Sequence, residues 1–393
     1  MTTTWIMKTL NRASSLRPAT AGWPAAPKAL QLGAIALAAG LSVLPQGGQA
    51  CSSLQISASD GSSVVARTMD FPSDLKDKVM LHRRGLKVQS LNPDGSPGLA
   101  FATKYASFAI IALDVDEAVA DGMNEKGLTI AAQWLAASTY PTSVPAERKN
   151  VALAFKDLGV WLLGQFATVD EVKAALPNVA VWAAPIKQMG NELPALHLIL
   201  FDAGGKGIVI EYVDAKLHVY DNPVGVATND PTFDWHLTNL QNYTGITGIN
   251  TPLRKFGNLE VKTHASGGGL LGLPGDPMPP SRFVRLAVNR TNATQPANAR
   301  EAVAMASHLI NGVDSPLGTV RVDAKPNGPS ETTIYTTLRD QRNSAYYIRP
   351  AKGYSFYRVD LSKLWDRQSV PQVSIVDLMN ADLTDVTPLL LKP

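Results

Sequence analysis

The sequence has 393 residues with 36 basic and 33 acidic side chains, a formal net charge of +3, and a single cysteine. Four of the basic residues lie within the first 50 positions, which contain no acidic residue, so residues 51–393 carry a net charge of about −1. This balance gives no support to nucleic-acid binding. One cysteine excludes an intrachain disulfide, and a chain of this length can bury a large core as one domain or as fused layers.

Residues 1–50 have the layout of a secretory signal peptide, with a basic front, an apolar middle and a small-residue end. The basic residues are Lys8, Arg12, Arg17 and Lys28. The apolar run covers residues 29–44, and small residues, Gly48 and Ala50, precede the cysteine. The alternative is a membrane anchor, but the run is shorter than the ~20 residues that a span needs.

We therefore predict cleavage between Ala50 and Cys51, export to the periplasm or the medium, and one domain over residues 51–393. No stable membrane anchor is expected. Translation could start at Met1 or at Met7, since the basic front is long.

Cleavage at this point would give Cys51 two reactive groups, a thiol and a free α-amine. Such an amine has a reference pKa of roughly 7.7–8.0, so part of it is unprotonated near neutrality. It could act as the base that takes a proton from its own thiol or from an attacking water.

The stretch after Cys51 predicts a β-hairpin. Apolar residues alternate over residues 54–58, Asp60-Gly61 is a strong turn signal, and a second strand begins at Val64. With a two-residue turn at Asp60-Gly61, Asp70 lies directly across from Cys51, and a four-residue loop with the same centre gives the same pairing. A three-residue loop would not.

Arg67 could favour the thiolate of Cys51 through its positive charge. Alternation along the strand places Arg67 on the opposite face from Asp70, so both could serve the cysteine only with a bulge or local bend.

The remaining elements predict an α+β fold with helices grouped between two sets of strands. A turn at residues 122–127 leads into a strand, Thr168 with Glu171 forms a capping box, and residues 267–280 form a surface loop. Predicted strands cover residues 128–135, 195–201, 207–212, 216–220, 332–338, 345–348 and 354–359, and a further strand enters a turn within residues 224–231. Predicted helices cover residues 151–166, 168–176, 281–288 and 298–310.

Four ordered motifs give a specific resemblance. They are Cys51-Ser-Ser-Leu-Gln with Ala66-Arg-Thr-Met-Asp70-Phe, Asp121-Gly-Met-Asn-Glu-Lys-Gly-Leu128, Ala227-Thr-Asn-Asp-Pro-Thr-Phe-Asp-Trp-His236, and Gly272-Leu-Pro-Gly-Asp276 with Pro280-Ser-Arg-Phe283. In this order the chain resembles the choloylglycine hydrolase family, which contains bile salt hydrolases and penicillin V acylases. The resemblance implies a four-layer αββα sandwich of the N-terminal-nucleophile hydrolase type, a homotetramer, and no cofactor or metal.

The resemblance also implies roles for individual residues. Cys51 would be the nucleophile, its amine the general base, and Arg67 and Asp70 its immediate partners. Asn229 would donate a side-chain N–H to the oxyanion, and Arg282 would orient the site by its positive charge.

Trp134, Met69 and Asn229 would line the oxyanion and substrate pocket, with the main-chain N–H at position 134 as a second oxyanion donor. Bile salt hydrolases commonly carry asparagine at the position of Trp134, and some penicillin acylases carry tyrosine. A large indole there favours aryl or fatty acyl groups.

Two other classes of protein fit part of the sequence. Cys51 could be the lipid-modified residue of an exported binding protein, although Gly48 stands where such signals prefer a leucine-like residue. A cysteine–histidine protease mechanism has no recognisable sequence context around any histidine. The histidines are His82, His197, His218, His236, His264 and His308.

The predicted function is hydrolysis of the C–N bond of N-acyl amides. Penicillin V is the first choice of substrate, and N-acyl homoserine lactones would also be accepted. Hydrolysis of conjugated bile salts is the alternative within the same chemistry. The partner is therefore a small molecule.

Overall fold

The computed structural model describes residues 50–115, 117–325, 328–380 and 387–391. The predicted leader, apart from Ala50, and both candidate start methionines lie outside the described residues. The strands, in chain order, are β1 (Ser52–Ser57), β2 (Ser63–Phe71), β3 (Lys78–His82), β4 (Lys87–Leu91), β5 (Pro97–Ala102), β6 (Ser107–Ile111), β7 (Val119–Asn124), β8 (Thr129–Trp134), β9 (Ala152–Ala154), β10 (Ala180–Trp182), β11 (Leu196–Phe201), β12 (Gly207–Val213), β13 (Lys216–Asp221), β14 (Val226–Ala227), β15 (Arg254–Phe256), β16 (Leu259–Val261), β17 (Val320–Arg321), β18 (Ser330–Asp340), β19 (Ala345–Pro350) and β20 (Tyr357–Asp360). The α-helices are α1 (Phe155–Gln165), α2 (Val169–Ala175), α3 (Phe233–Asn239), α4 (Pro279–Asn292), α5 (Ala299–Asn311) and α6 (Thr387–Leu390).

Two antiparallel sheets form the centre of the molecule. The first has the strand order β14-β1-β2-β18-β19-β20, with β17 beside β18, and the second has the order β13-β12-β11-β8-β7-β6-β3. The central strands β1 and β2 of the first sheet are buried on both faces, although β1 alternates apolar Leu54 and Ile56 with polar residues.

Helices cover the outer face of each sheet. Apolar residues of α4 and α5, such as Phe283 and Ala306, pack on Leu54 of the first sheet. Leu158 of α1 packs on the second sheet together with Ile130. A third apolar cluster, which includes Met69, Phe108 and Tyr346, fills the space between the sheets, so the described residues form the four-layer αββα sandwich that the resemblance implied.

The register predicted for the first hairpin is wrong by one residue. Ser52 pairs with Thr68 and Ser57 with Ser63, which places Met69, and not Asp70, directly across from Cys51. The loop has three residues and ends at Gly61, whose φ is +81°. A three-residue hairpin loop requires a left-handed last residue, which glycine adopts without strain, and a one-residue slip moves every side chain to the other face.

Most other predicted elements are confirmed with small shifts of their bounds, including the meander β11–β13 and the closing strands β18–β20. Thr168 caps α2 by accepting from the Glu171 N–H at 3.2 Å. The helix predicted from residue 151 begins only at Phe155, because residues 152–154 pair with β10 instead.

Two further differences concern strands in the first part of the chain. Gly122 lies within β7 and not in a turn, and strands β3–β6 were not predicted. No helix among the described residues is both long and apolar enough to cross a membrane.

Candidate active site

Cys51 lies just before β1, and its side chain faces the space between the two sheets. Only 3% of its surface is exposed. Its Sγ lies 3.8 Å from the Sδ of Met69 and 3.8 Å from Nη2 of Arg67. The main-chain N–H of Cys51 donates to Oδ1 of Asn229. The structure thus brings together residues that are 178 positions apart in the sequence.

Arg67 reaches Cys51 without the bend that we expected, because the actual register puts the two side chains on the same face of the sheet. Its guanidinium is fully buried and donates to the Ala132 carbonyl at 2.7 Å and to the Tyr335 hydroxyl at 2.9 Å. Burial raises the pKa of the Cys51 thiol, and the charges of Arg67 and Arg282 oppose this rise.

Asp70 lies on the other face of β2, opposite the position of Ala50. Its carboxylate accepts from the hydroxyls of Thr333 at 2.5 Å and Thr68 at 3.2 Å. Burial raises the pKa of Asp70 to about 6, while the charge of Arg282 and these two hydroxyls favour the ionised form. The N–H of Cys51 donates to Asn229 and not to the Asp70 carboxylate, whereas the main-chain N–H of Asp70 donates to the Cys51 thiol and opposes the rise of its pKa.

Asn229 follows the short strand β14, which pairs with β1 at the edge of the first sheet. Its Oδ1 accepts from Cys51 and, at 2.9 Å, from Nη2 of Arg282, while its Nδ2 donates to the Trp134 carbonyl at 2.8 Å. These bonds fix which end of the amide is the donor. One hydrogen on Nδ2 then remains for a ligand.

Trp134 ends β8 beside Asn229. Leu135 donates its N–H to Ala195, so alternation along the strand points the N–H and the carbonyl of Trp134 the other way, toward Asn229. The carbonyl of Ala132, two residues earlier, points the same way and meets Arg67. The main-chain N–H of Trp134 therefore points to the side of β8 on which Asn229 lies.

Arg282 is buried in α4 and links the nucleophile to Asn229. Its Nη1 donates to the Cys51 carbonyl at 2.6 Å, and its Nε donates to the Pro277 carbonyl at 2.9 Å. Burial lowers the pKa of Arg282, and the neighbouring Asp70 opposes that effect. This guanidinium thus holds both the main chain of Cys51 and the amide of Asn229.

An apolar pocket of about 840 Å³, including its open mouth, begins at Cys51 and Met69. Among the described residues, all of its other lining side chains are apolar. They are Phe71, Leu75, Ala112, Leu113, Ala118, Val119, Ala120, Ala132, Trp134, Phe155, Leu158, Gly159, Ile186, Met189, Leu196 and Leu198. A Cβ at Gly159 would lie 2.7 Å from that of Val119, so glycine allows α1 to approach β7 and close the pocket.

Glu331, which lies close to Asp70 and Arg282, was not predicted from the sequence. Its side chain is 6% exposed, and Oε1 has no hydrogen-bond partner among the described residues. Burial, together with the charge of Asp70, raises its pKa to about 7, while a hydrogen bond from the main chain of Ala50 opposes this. Glu331 thus contacts the residue that precedes the nucleophile.

Comparison with known proteins identifies the family. A model of the linear amide C–N hydrolases of the choloylglycine hydrolase family matches residues 51–367 and so begins at Cys51. The chain belongs to the choloylglycine hydrolase family. It is a linear amide C–N hydrolase with the N-terminal-nucleophile hydrolase fold.

Two relatives show which enzymes of the family the chain is similar to. It is 32% identical to the bile salt hydrolase/transferase of Clostridium perfringens over 323 residues, covering 80% of this chain and 93% of that protein. It is 29% identical to the penicillin V acylase of Pectobacterium atrosepticum over 318 residues, covering 77% of each.

Solved structures agree with this assignment. A variant of the conjugated bile acid hydrolase of C. perfringens superposes with a TM-score of 0.71 at 28% identity, covering 82% of this chain and 97% of that one. Penicillin V acylase from Agrobacterium tumefaciens gives a TM-score of 0.63 at 26% identity, covering 80% and 87%.

The arrangement is suited to acyl transfer through a thioester. It contains a thiol, a cation beside that thiol, amide and main-chain N–H donors, and an apolar space for an acyl group. Among the described residues, no group of three or more His, Cys, Asp or Glu side chains is placed to hold a metal ion.

Proposed function

We propose that the protein is an exported amidase of the penicillin V acylase type, active once the chain begins at Cys51, and that it also hydrolyses N-acyl homoserine lactones. The observation that carries this proposal is the position of Cys51. Its Sγ opens onto a wholly apolar pocket, and its main-chain nitrogen lies against Asn229.

The reaction follows from these positions. The α-amine of Cys51 takes the proton of the thiol, and the resulting thiolate, stabilised by the charge of Arg67, attacks the carbonyl carbon of the N-acyl amide. The second Nδ2 hydrogen of Asn229 and the main-chain N–H of Trp134 donate to the oxyanion, and the α-amine of Cys51 protonates the leaving nitrogen. The same amine then takes a proton from water, which releases the acid from the thioester.

The choice of acyl group is supported by the chemistry of the pocket lining. No charged side chain of the described residues lines the pocket, and beyond the nucleophile the indole N–H of Trp134 is the only hydrogen-bonding side-chain group among them, so the favoured acyl group has few polar substituents in its interior part. The indole of Trp134 offers a flat apolar wall beside the nucleophile. Phenoxyacetyl and fatty acyl groups meet both conditions.

A second candidate is hydrolysis of conjugated bile salts. The relatives favour it, since the bile salt hydrolase of C. perfringens is 32% identical to this chain and the penicillin V acylase of P. atrosepticum is 29% identical. A rate panel on penicillin V, a glycine-conjugated bile acid and a long-chain acyl homoserine lactone distinguishes the candidates. A kcat/KM for the bile acid above those for the other two would overturn the proposed substrate class.

Export with cleavage before Cys51 is proposed against the alternative of a lipid-anchored binding protein. Burial of Cys51 between the sheets supports the hydrolase, because a lipid attached to this sulfur would have to leave through the core. Intact-mass measurement of the mature protein tests it. A chain that begins at Cys51 without adduct is expected, and a diacylglyceryl adduct would contradict the proposal.

We further propose that the enzyme is a homo-oligomer, a tetramer by resemblance. Support comes from the hairpin β15–β16, where Phe256 and Leu259 are 67% and 65% exposed. Light scattering should show that replacing both residues with serine reduces the mass of the assembly, whereas Tyr354→Ser, at an exposed site far along the chain, should not. An unchanged mass in the hairpin variant would remove this support.

A further inference from the structure

Two buried histidines hold the main chain on either side of Asn229. Strand β14 ends at Ala227, so the carbonyls of the next two residues have no strand partner. The Thr228 carbonyl lies 2.9 Å from Nε2 of His197, and the Asn229 carbonyl lies 2.9 Å from Nε2 of His236. Both histidines are 1% exposed.

The partners of His236 fix its protonation. A carbonyl oxygen only accepts, so Nε2 must carry the hydrogen. Burial lowers the pKa of His236 to about 4, which keeps the ring neutral near pH 7. Its ring lies nearly parallel to that of Phe283, at 4.7 Å between centroids, and is thereby held next to α4, the helix that carries Arg282.

His197 faces an oxygen at each end of its ring. Its Nδ1 is 3.0 Å from Oε1 of Glu211 on β12, and the same oxygen accepts the N–H of Phe233 at the start of α3. Because the Thr228 carbonyl only accepts, Nε2 of His197 donates to it, and the ring is held at both ends, by Thr228 and by Glu211.

We infer that His197 and His236 are positioning residues of the reaction, which fix the two peptide planes flanking Asn229 and so aim its Nδ2 at the oxyanion. The inference rests on the proposed role of Asn229 as oxyanion donor. Once the carbonyls of Thr228 and Asn229 are held in fixed directions, the Asn229 side chain can rotate only about its own two torsion angles. Its amide is already hydrogen-bonded through both Oδ1 and Nδ2. A rotation of either peptide would move the donor away from the reacting atom.

The test compares three substitutions of His236. Gln places an amide N–H close to the position of Nε2, Asn places it near that of Nδ1, and Leu provides no donor. We expect His236→Leu and His236→Asn to lower kcat by about 10–100-fold with KM nearly unchanged, and His236→Gln to recover most of that loss. His308→Leu, at an exposed site, is the matched control and should leave kcat unaltered.

A double-mutant cycle separates this inference from the role of Asn229 itself. In an Asn229→Ala background, the His236 substitutions should have little further effect on kcat, since no donor is left to aim. A full additional loss there, or equal activity of the Gln and Asn variants, would overturn the positioning role. An Asn229→Ala enzyme with normal kcat would instead refute the oxyanion assignment.

Should His236→Leu fail to fold, the contrast between Gln and Asn decides alone, because both are polar and of similar size. The protonation of His197 has its own signature. Nitrogen-15 spectra of the histidine rings should show Nε2 of His197 protonated, as its bond to the Thr228 carbonyl requires. A ring with bare Nε2 would contradict the arrangement.

Discussion

Replacing Asn229 by aspartate keeps the bonds that its side-chain oxygen accepts and removes those that its Nδ2 donates, to the oxyanion and to the Trp134 carbonyl. Asn229→Ala removes three hydrogen bonds at once, those with Cys51, Arg282 and Trp134. We expect that variant to lose roughly 2.5–6 kcal/mol of stability, since a bond to a charged group contributes about 1.5–3 kcal/mol and each neutral bond about 0.5–1.5 kcal/mol. Loss of activity in Asn229→Ala would then mix catalysis with unfolding.

Asn229→Asp retains an oxygen for Cys51 and for the guanidinium of Arg282, but has no N–H to offer. Removal of one oxyanion donor typically lowers kcat by about 10²–10³-fold, or about 2.7–4 kcal/mol of transition-state stabilisation. We expect a loss of that size, with KM changed by less than about threefold because the acyl pocket is untouched. The negative charge beside the oxyanion adds to the loss.

The assay is stopped-flow acylation with a chromogenic phenoxyacetyl amide, with KM taken from the steady state. The matched control is Asn222→Asp, also buried, which removes a donor to the Val226 carbonyl away from the nucleophile. That control should lose stability and keep its kcat. An Asn229→Asp effect confined to KM, or a kcat loss no larger than that of the control, would refute the assignment.

Three further results are expected. Cys51→Ala should abolish turnover of every substrate in the rate panel, because no other thiol is present in the chain, and full activity would end the proposed mechanism. Trp134→Ala should raise the ratio of kcat/KM for a glycine-conjugated bile acid over penicillin V by about tenfold, because it widens the pocket; an unchanged ratio would show that the indole does not select the acyl group. Burial raises the pKa of Asp77 to about 7, with the charge of Arg67 opposing, so the folded state keeps this proton at pH values where the unfolded chain has lost it. Its contribution to the free energy of unfolding is therefore present below about pH 4 and lost as the pH rises to about 7. Asp77→Asn should remove this part of the pH dependence, as measured by urea unfolding. Identical pH profiles for the two proteins would contradict this.

The sequence alone pointed to Cys51 and to its proposed partners, because they stand in ordered motifs that resemble a known family. It also predicted the meander β11–β13 and the closing strands correctly, since their apolar residues and turn glycines follow local rules. It could not place β3–β6, which have weak alternation and depend on pairing that the tertiary structure decides: β3 and β6 pair within the second sheet, and β4 and β5 form a separate two-stranded sheet. The late start of α1 has a similar cause, since residues 152–154 find a partner in β10, far along the chain.

Local chemistry thus determined which residues the reaction uses, and tertiary structure decided how they meet. Because the loop ending at Gly61 has one residue more than predicted, Met69 and not Asp70 lies opposite Cys51. The same shift turns Arg67 toward the sulfur. The sequence of the turn is compatible with a loop of two residues and with one of three. Packing of the two sheets decides between these lengths and thereby sets the register. The bonds from Arg282 and His197 to the segment around Asn229 likewise arise only when distant strands and helices pack together, whereas His236 follows Asn229 after only seven residues.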